Sequence, residues 1–362
     1  MSARPILIMA GGTGGHVFPA LALARLLRQR SCGVLWLGTR RGLEARLVPA
    51  EHIAIEWITV AGVRGKGLMP LLAAPFRVAL AVTQALKVIW RHRPLAVVGL
   101  GGFVSGPGGV AAWLARRPLI IHEQNAVAGF TNRVLAHLAG EVLEAFPGSF
   151  GPGVRARAIG NPVRADIVAT RPPAARFGER AGAIHLLVIG GSQGAARLNA
   201  VLPQALARLG ADVAFEVRHQ AGPRWLEAAQ RAYADAGVRA EVSAFIDDMA
   251  AAYAWADLVI CRAGALTVSE LAAAGVGAIL VPFAAAVDDH QAANARYLVS
   301  AGAAVVIAER ELTAERLAAE LRRLCADRAT LLAMAERARA LARPEATQAL
   351  ADTCLRFAED AA

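Results

Sequence analysis

Paired cysteines are missing from this sequence. Its four, Cys32, Cys261, Cys325 and Cys354, are scattered without a CxxC spacing, which excludes a zinc knuckle and a disulfide framework and fits a reducing compartment. An export signal is missing too. Met1 runs into Pro5–Ala10, apolar or small residues followed by glycines, too short for a signal-peptide core and without a cleavage site. The longest apolar region, 68–90, is broken by Pro70, Pro75, Arg77, Gln84 and Lys87, so no transmembrane span is expected. Lysine is nearly absent, since Lys66 and Lys87 are the two exceptions among 39 otherwise arginine side chains. Charged residues make up 19% against 56% hydrophobic over 362 residues, which excludes a disordered chain and gives material for about two domains.

Acids are short in one half. Residues 1–165 carry 19 basic and 6 acidic side chains, residues 166–362 carry 20 and 23, so the halves are +13 and −3. The first half therefore faces something anionic, such as a nucleic acid, a membrane surface or a phosphorylated ligand. No aromatic-basic stripe or nucleic-acid motif accompanies the charge, so nucleic acid drops out.

What is present is one unit written twice. Ile6–Ala10 has strand length, Gly11-Gly12-Thr13-Gly14-Gly15-His16 turns, and Leu21, Leu23, Leu26 and Leu27 continue as a helix. Ile184–Ile189, Gly190-Gly191-Ser192-Gln193-Gly194 and a helix through Leu198, Val201, Leu202, Leu206 and Leu209 repeat the plan. Buried-type strands at Val34–Leu37, Ala96–Leu100, Leu119–His122, Val213–Arg218, Leu258–Cys261, Ala278–Val281 and Val305–Ile307 alternate with helix-length segments. That rhythm predicts an α/β chain of two parallel-sheet domains. The boundary falls at Gly160–Arg164, and beyond Thr313 the chain reads as helical, with a break at Pro344 and a last helix over Glu345–Glu359.

A glycine loop opening a helix presents backbone N–H groups and the positive dipole end to an anion. Against the dinucleotide fingerprint, the first loop has Val17 where a glycine belongs, and the second strand ends in Gly38-Thr39-Arg40-Arg41 without an acid for a ribose diol. An NADP site using those arginines stays open on this evidence. His16 falls in the first helical turn, where a neutral imidazole can serve as general base. A third loop, Gly101–Gly109, follows the strand Ala96–Leu100, and the next strand ends in His122-Glu123-Gln124-Asn125, at the carboxyl edge where open α/β sheets bind ligands. Asn125 suits a sugar hydroxyl or amide. Glu123 either orients a neighbour or serves as the base. In the second half, Gly264 and Ala265 open a helix able to receive a diphosphate, and Glu270 offers a carboxylate to both hydroxyls of a ribose. Asp247-Asp248 and Asp288-Asp289 each precede a helical pattern and are read as N-caps rather than metal ligands.

In this order, Gly11–His16, Gly101–Pro107, His122–Asn125, Asn161–Arg164, Gly190–Gly194, Phe245–Met249, Ala263–Glu270 and Asp288–Gln291 closely resemble the MurG family. These are bacterial UDP-N-acetylglucosamine transferases that glycosylate lipid-linked muramyl-pentapeptide in peptidoglycan synthesis. Departures are small: Gly277 stands where a proline is expected, and Ala284–Ala286 make a bland loop. The resemblance implies a GT-B fold, two Rossmann-like domains facing across a cleft. Residues 1–162 would form the acceptor and membrane-associated domain, with helix 345–359 packed back on it, and residues 163–344 the UDP-sugar domain. It further implies that the backbone at Ile246 reads the uracil and Glu270 holds the ribose. Ser192 and the helix start at Ala265, Leu266 and Thr267 would take the diphosphate, with Arg164 nearby, and Val268 and Ser269 would belong to the same UDP-sugar site. Gln291 and Asn125 would bind the N-acetylglucosamine, and Thr13, Gly14 and Gly15 would close the site from the opposite domain.

The implied reaction is an inverting displacement by the muramyl 4-hydroxyl, with His16 or Glu123 as base and neither metal nor cofactor. Its acceptor is an undecaprenyl lipid, so the implied place is the cytoplasmic face of the inner membrane, held peripherally, with cell-wall synthesis proteins as candidate partners. Over 76–91, Arg77, Gln84, Lys87 and Arg91 share one stripe, with Leu80 inside it, and Phe76, Val78, Val82, Leu86, Ile89 and Trp90 cover much of the rest. This fits a basic amphipathic helix on an anionic surface, or equally a core helix with a solvated edge. A transferase acting on diacylglycerol, an NADP-dependent oxidoreductase and a nucleotide-sugar sensor are the competing readings.

Overall fold

The computed structural model describes residues 4–60, 74–191, 194–210, 213–283 and 289–359. The chain divides into two units, Met1–Arg164 with Pro344–Ala362, and Ala165–Arg343.

The first unit is built on β1 (Ile6–Met9), β2 (Val34–Gly38), β3 (Ala54–Trp57), β4 (Val97–Gly99), β5 (Leu119–Glu123), β6 (Glu141–Glu144) and β7 (Arg157–Ala158). They lie in the order β3-β2-β1-β4-β5-β6-β7, parallel throughout. Alternation decides the layers. Ile6 and Ile8 of β1 join one core with Leu23 and Leu27, whereas Leu7 and Met9 join another with Ala85 and Ile89, so helices cover both faces. The last helix, Ala346–Glu359, belongs to this unit. Its Leu350, Ala351 and Cys354 are wholly buried in the core of helix Gly14–Gln29, and burial of a leucine contributes about 1.5–3 kcal/mol. Arg356 reaches Glu141 at 2.7 Å and Arg157 reaches Thr353 at 2.7 Å on its flanks.

The second unit carries β8 (Ile184–Ile189), β9 (Phe215–Gln220), β10 (Glu241–Ser243), β11 (Leu258–Cys261), β12 (Gly277–Leu280) and β13 (Ala304–Val306). Their order is β10-β9-β8-β11-β12-β13, again all parallel. In both sheets the order reverses beside the first strand, between β1 and β4 and between β8 and β11. At such a reversal the loops leave in opposite directions and open a crevice at the carboxyl edge. The glycine loops sit there. Gly277 has its own reason: a Cβ on it would come within 2.8 Å of the Met334 Cβ, so the helix Arg328–Ala340 can lie close only over glycine.

Helix Ala74–His92 is a core helix and an exposed one at once. Ala81, Ala85, Val88 and Ile89 are buried, spaced for a single face. Phe76, Val78, Leu80 and Trp90 are exposed, Phe76 by 80%. The expected division into a basic stripe and an apolar remainder is thus corrected: apolar Phe76, Leu80 and Trp90 share the solvent side with Lys87 and Arg91, because two alanines let the opposite face approach the core.

Candidate active site

In the first unit the crevice brings three loops together. The helix Gly14–Gln29 begins at Thr13 without a side-chain cap and without an acid in its first turn, so its leading N–H groups face outward with the dipole. Thr13 is exposed, and Gly14, Gly15 and His16 are half-buried. Gly102 adopts φ +82°, and a Cβ there would lie 2.3 Å from the Gly11 carbonyl oxygen. At Gly11 and Gly102 the first and third loops therefore touch through backbone.

The third element is the end of β5. His122, Glu123 and Gln124 are all buried, and they form a network rather than a row of free groups. Glu123 accepts from Asn125 N at 2.9 Å and Asn125 Nδ2 at 3.0 Å through Oε1, and from Gly129 N at 3.1 Å and Asn132 Nδ2 at 2.8 Å through Oε2. Four donors occupy the carboxylate, so of its two sequence readings the orienting one fits, with Asn125 the neighbour it orients. Gln124 spans His16 and His122, at 2.9 Å and 3.0 Å. Asn161 Nδ2 donates to the Gln124 carbonyl at 3.0 Å. Arg164 lies over the Phe18 ring at 5.9 Å.

Glu44 was not read from the sequence. It is wholly buried, accepts from Gly12 N at 2.9 Å and Thr39 N at 3.1 Å, and takes the Thr39 hydroxyl at 2.8 Å. The acid that seemed absent after the second strand is thus present, but it is spent on holding the first glycine loop. The signal was there: six acids in the first 165 residues make each one worth asking about.

In the second unit Ser192 lies outside the described residues, as do Ala284–Ala286 and Asp288. Gln220 bridges what remains of that edge, donating to the Gly191 carbonyl at 3.3 Å and accepting from Ile246 N at 3.3 Å. Helix Ala265–Ala274 starts at Gly264 without a side-chain cap or an early acid. Leu266, Thr267 and Ser269 are half-buried, whereas Val268 is wholly buried and its N–H is spent on the Gly264 carbonyl at 2.9 Å. Ser269 Oγ is turned back to the Ala265 carbonyl at 3.0 Å. Glu270 is buried, and the Tyr253 hydroxyl donates to its Oε2 at 3.1 Å. Gln291 accepts from Phe283 N at 2.8 Å. Asp248 caps its helix, accepting from Ala251 N at 2.8 Å. Asp289 stands at the N-cap position of its helix, at φ 53° and without a side-chain cap bond. Among the described residues no cluster of three or more metal-ligating side chains occurs.

Two buried histidines bear on stability. Burial pushes both His122 and His219 down to about 4, whereas an unfolded histidine titrates near 6.5. The unfolded chain then binds more protons as pH falls, so stability present above about pH 6.5 is lost toward about pH 4. Urea midpoints should already drop between about pH 6.5 and pH 5, above the carboxylate range. A midpoint flat across that window would contradict the neutral buried state.

Comparison with known proteins adds the following. The model of the glycosyltransferase family 28 N-terminal domain matches residues 6–144, and that of the glycosyltransferase family 28 C-terminal domain matches residues 185–350. A relative from Nitrosococcus oceani, named UDP-N-acetylglucosamine--N-acetylmuramyl-(pentapeptide) pyrophosphoryl-undecaprenol N-acetylglucosamine transferase, is 59% identical over 98% of both chains. One of the same name from Alkalilimnicola ehrlichii is 57% identical over 97% of this chain and 98% of its own. The crystal structure of Acinetobacter baumannii MurG superposes with a TM-score of 0.85 at 43% identity, covering 98% of this chain and 99% of that one. CalG4, the calicheamicin glycosyltransferase, superposes at 0.70 with 20% identity over 99% of each chain, a likeness of fold.

Proposed function

This chain belongs to glycosyltransferase family 28, and we propose that it transfers N-acetylglucosamine from UDP-N-acetylglucosamine to the 4-hydroxyl of undecaprenyl-pyrophosphoryl-muramyl-pentapeptide, a step of peptidoglycan synthesis. The observation that carries the substrate assignment is the name shared by relatives more than half identical over nearly the whole chain. A diacylglycerol acceptor has no such support.

The reaction is a single displacement. The muramyl 4-oxygen bonds to the anomeric carbon, the bond from that carbon to the diphosphate oxygen breaks, and UDP leaves with the electron pair. The hydroxyl proton passes to Nε2 of His16, our choice of base, and Glu123 holds Asn125 rather than acting on substrate. Positive potential for the departing diphosphate comes from the uncapped helix start at Ala265, Leu266 and Thr267 and from Arg164 and Ser192, with Val268 and Ser269 continuing the same helix behind that start. Glu270, held by Tyr253, takes the ribose. Because the Ile246 N–H is engaged by Gln220, the Ile246 carbonyl is the group we assign to the uracil. Asn125 and Gln291 take the sugar, and Thr13, Gly14 and Gly15 the remaining polar contacts. Radiolabelled transfer to the muramyl lipid, with UDP-glucose and diacylglycerol as controls, tests the assignment. Label in the muramyl lipid alone supports it, and label in diacylglycerol or in neither lipid refutes it, the latter favouring a sensor.

The lipid acceptor requires a membrane surface, and we assign it to the exposed side of helix Ala74–His92, with the enzyme peripheral on the cytoplasmic face. No helix among the described residues is long and apolar enough to cross a bilayer. Exposed Phe76, Leu80 and Trp90 beside Arg77, Lys87 and Arg91 suit an interface that is apolar below and anionic above. At about 1 kcal/mol per basic residue, changing Arg77, Lys87 and Arg91 to Glu should weaken binding to anionic vesicles by roughly 10²-fold or more, and added salt should weaken the native chain's binding. Vesicle binding indifferent to both changes would sink this assignment.

A further inference from the structure

Two backbone carbonyls fix where the protons lie on three side chains. A carbonyl oxygen only accepts. The Gly160 carbonyl is 2.9 Å from His122 Nε2, so His122 carries its proton on Nε2. His122 is wholly buried and burial keeps it neutral, which leaves a lone pair on its Nδ1. Glu123 beside it favours the charged form but is outweighed by burial, and its carboxylate is engaged by four donors, of which the Asn132 amide also lies 3.4 Å from the His122 carbonyl. The His122 carbonyl is 3.0 Å from one terminal atom of the Gln124 amide, which must therefore be the nitrogen. The second hydrogen of that nitrogen goes to His122 Nδ1 at 3.0 Å. The Gln124 oxygen is thereby turned to His16, 2.9 Å from Nδ1, and since an amide oxygen only accepts, His16 Nδ1 must donate.

We propose that Gln124, set by His122, is a positioning residue that imposes the Nδ1–H tautomer on His16 and leaves Nε2 with the lone pair the reaction needs. A histidine side chain in water carries its proton mainly on Nε2, the wrong nitrogen for a base that works through Nε2. The tautomer of a catalytic histidine follows from the bond its other nitrogen makes. Glycine at 101 belongs to the device: its φ is +94°, and a Cβ there would lie 2.5 Å from His16 Nδ1 and 3.2 Å from the Gln124 oxygen, displacing the very bond.

The use of this tautomer in catalysis rests on His16 being the base, but the tautomer itself can be read without turnover. In the full-length 15N-labelled protein, with the His16 signals assigned by their loss in His16→Ala, long-range 15N–1H correlation spectra should show Nδ1 protonated and Nε2 unprotonated. A protonated Nε2, or an average of the two forms, would overturn the proposal whatever the activity. Gln124→Met keeps the side-chain length and removes both amide groups. It should return His16 to the Nε2–H form and lower kcat at least about tenfold, with KM for UDP-N-acetylglucosamine changed less than about threefold. Retention of the Nδ1–H signature in Gln124→Met would contradict the role of Gln124. Loss of the signature with turnover unchanged would leave the hydrogen-bond assignment standing and tell against His16 as base.

Discussion

His16→Ala should lower the turnover of N-acetylglucosamine transfer by about 10² to 10⁴-fold, the span a positioned general base supplies, while calorimetric affinity for the UDP-sugar stays within a few-fold. The separation is expected because the nucleotide-binding elements assigned above, at Ile246, Ala265–Ser269 and Glu270, belong to the other unit. His16 sits half-buried in the first turn of its helix, with Nδ1 bonded to Gln124 at 2.9 Å. Truncation to alanine removes the imidazole without opening the core, since the wholly buried residues of that turn are Val17 and Ala20. Turnover near that of the native chain would remove His16 as base.

Glu123→Ala should instead act through folding. Its carboxylate is buried at 3% exposure and satisfies four donors on Asn125, Gly129 and Asn132. Deleting it takes the acceptor from a buried Asn132 amide and from the half-buried Asn125 and Gly129, a loss of about 1–3 kcal/mol against the 5–15 kcal/mol typical of a domain. The urea midpoint should fall and the 125–129 loop should become a protease site. Glu123→Gln separates this from catalysis: it keeps one accepting oxygen, so stability should recover in part, and the folded fraction should retain turnover within about tenfold. Abolished turnover in a Glu123→Gln protein of undiminished stability would identify Glu123 as the base and contradict the account.

The repeated strand, glycine loop and helix were legible because each is local: four to six apolar residues, a glycine cluster and a leucine pattern follow one another along the chain. The strands Ala54–Trp57, Glu141–Glu144, Arg157–Ala158 and Glu241–Ser243 were not. They lie at or near the sheet edges, carry Glu56, Glu141, Glu144, Arg157 and Glu241, and take their conformation from pairing with a neighbour that the sequence does not name. The site divides in the same way. Positions that present backbone to a ligand were marked by their glycines, but the contacts that set the side chains span long separations, as from Gly12 to Glu44 and from His16 to Gln124, and no periodicity records them.

The charge asymmetry reads differently with the side chains placed. Each of the six acids in the first half is engaged within the protein: Glu44 on Gly12 and Thr39, Glu51 on Arg25, Glu56 on His92, Glu123 on its loop, Glu141 on Arg356 and Glu144 on Gly148 N. Three surface arginines, Arg25, Arg91 and Arg356, are paired by these acids, since Glu56 also reaches Arg91 at 3.7 Å, while Glu44, Glu123 and Glu144 serve backbone and amide groups. The excess of basic side chains is left to the solvent side, as the proposed anionic surface would require.

The most direct measurement is the linkage in the product. The purified chain, given UDP-N-acetylglucosamine and undecaprenyl-pyrophosphoryl-muramyl-pentapeptide, should yield a disaccharide whose proton NMR shows the new glycosidic bond to be β and to the muramyl 4-oxygen, inverted from the α-linked donor. One displacement assisted by one base requires that outcome. An α-linked product, or no disaccharide from this acceptor, would contradict the account.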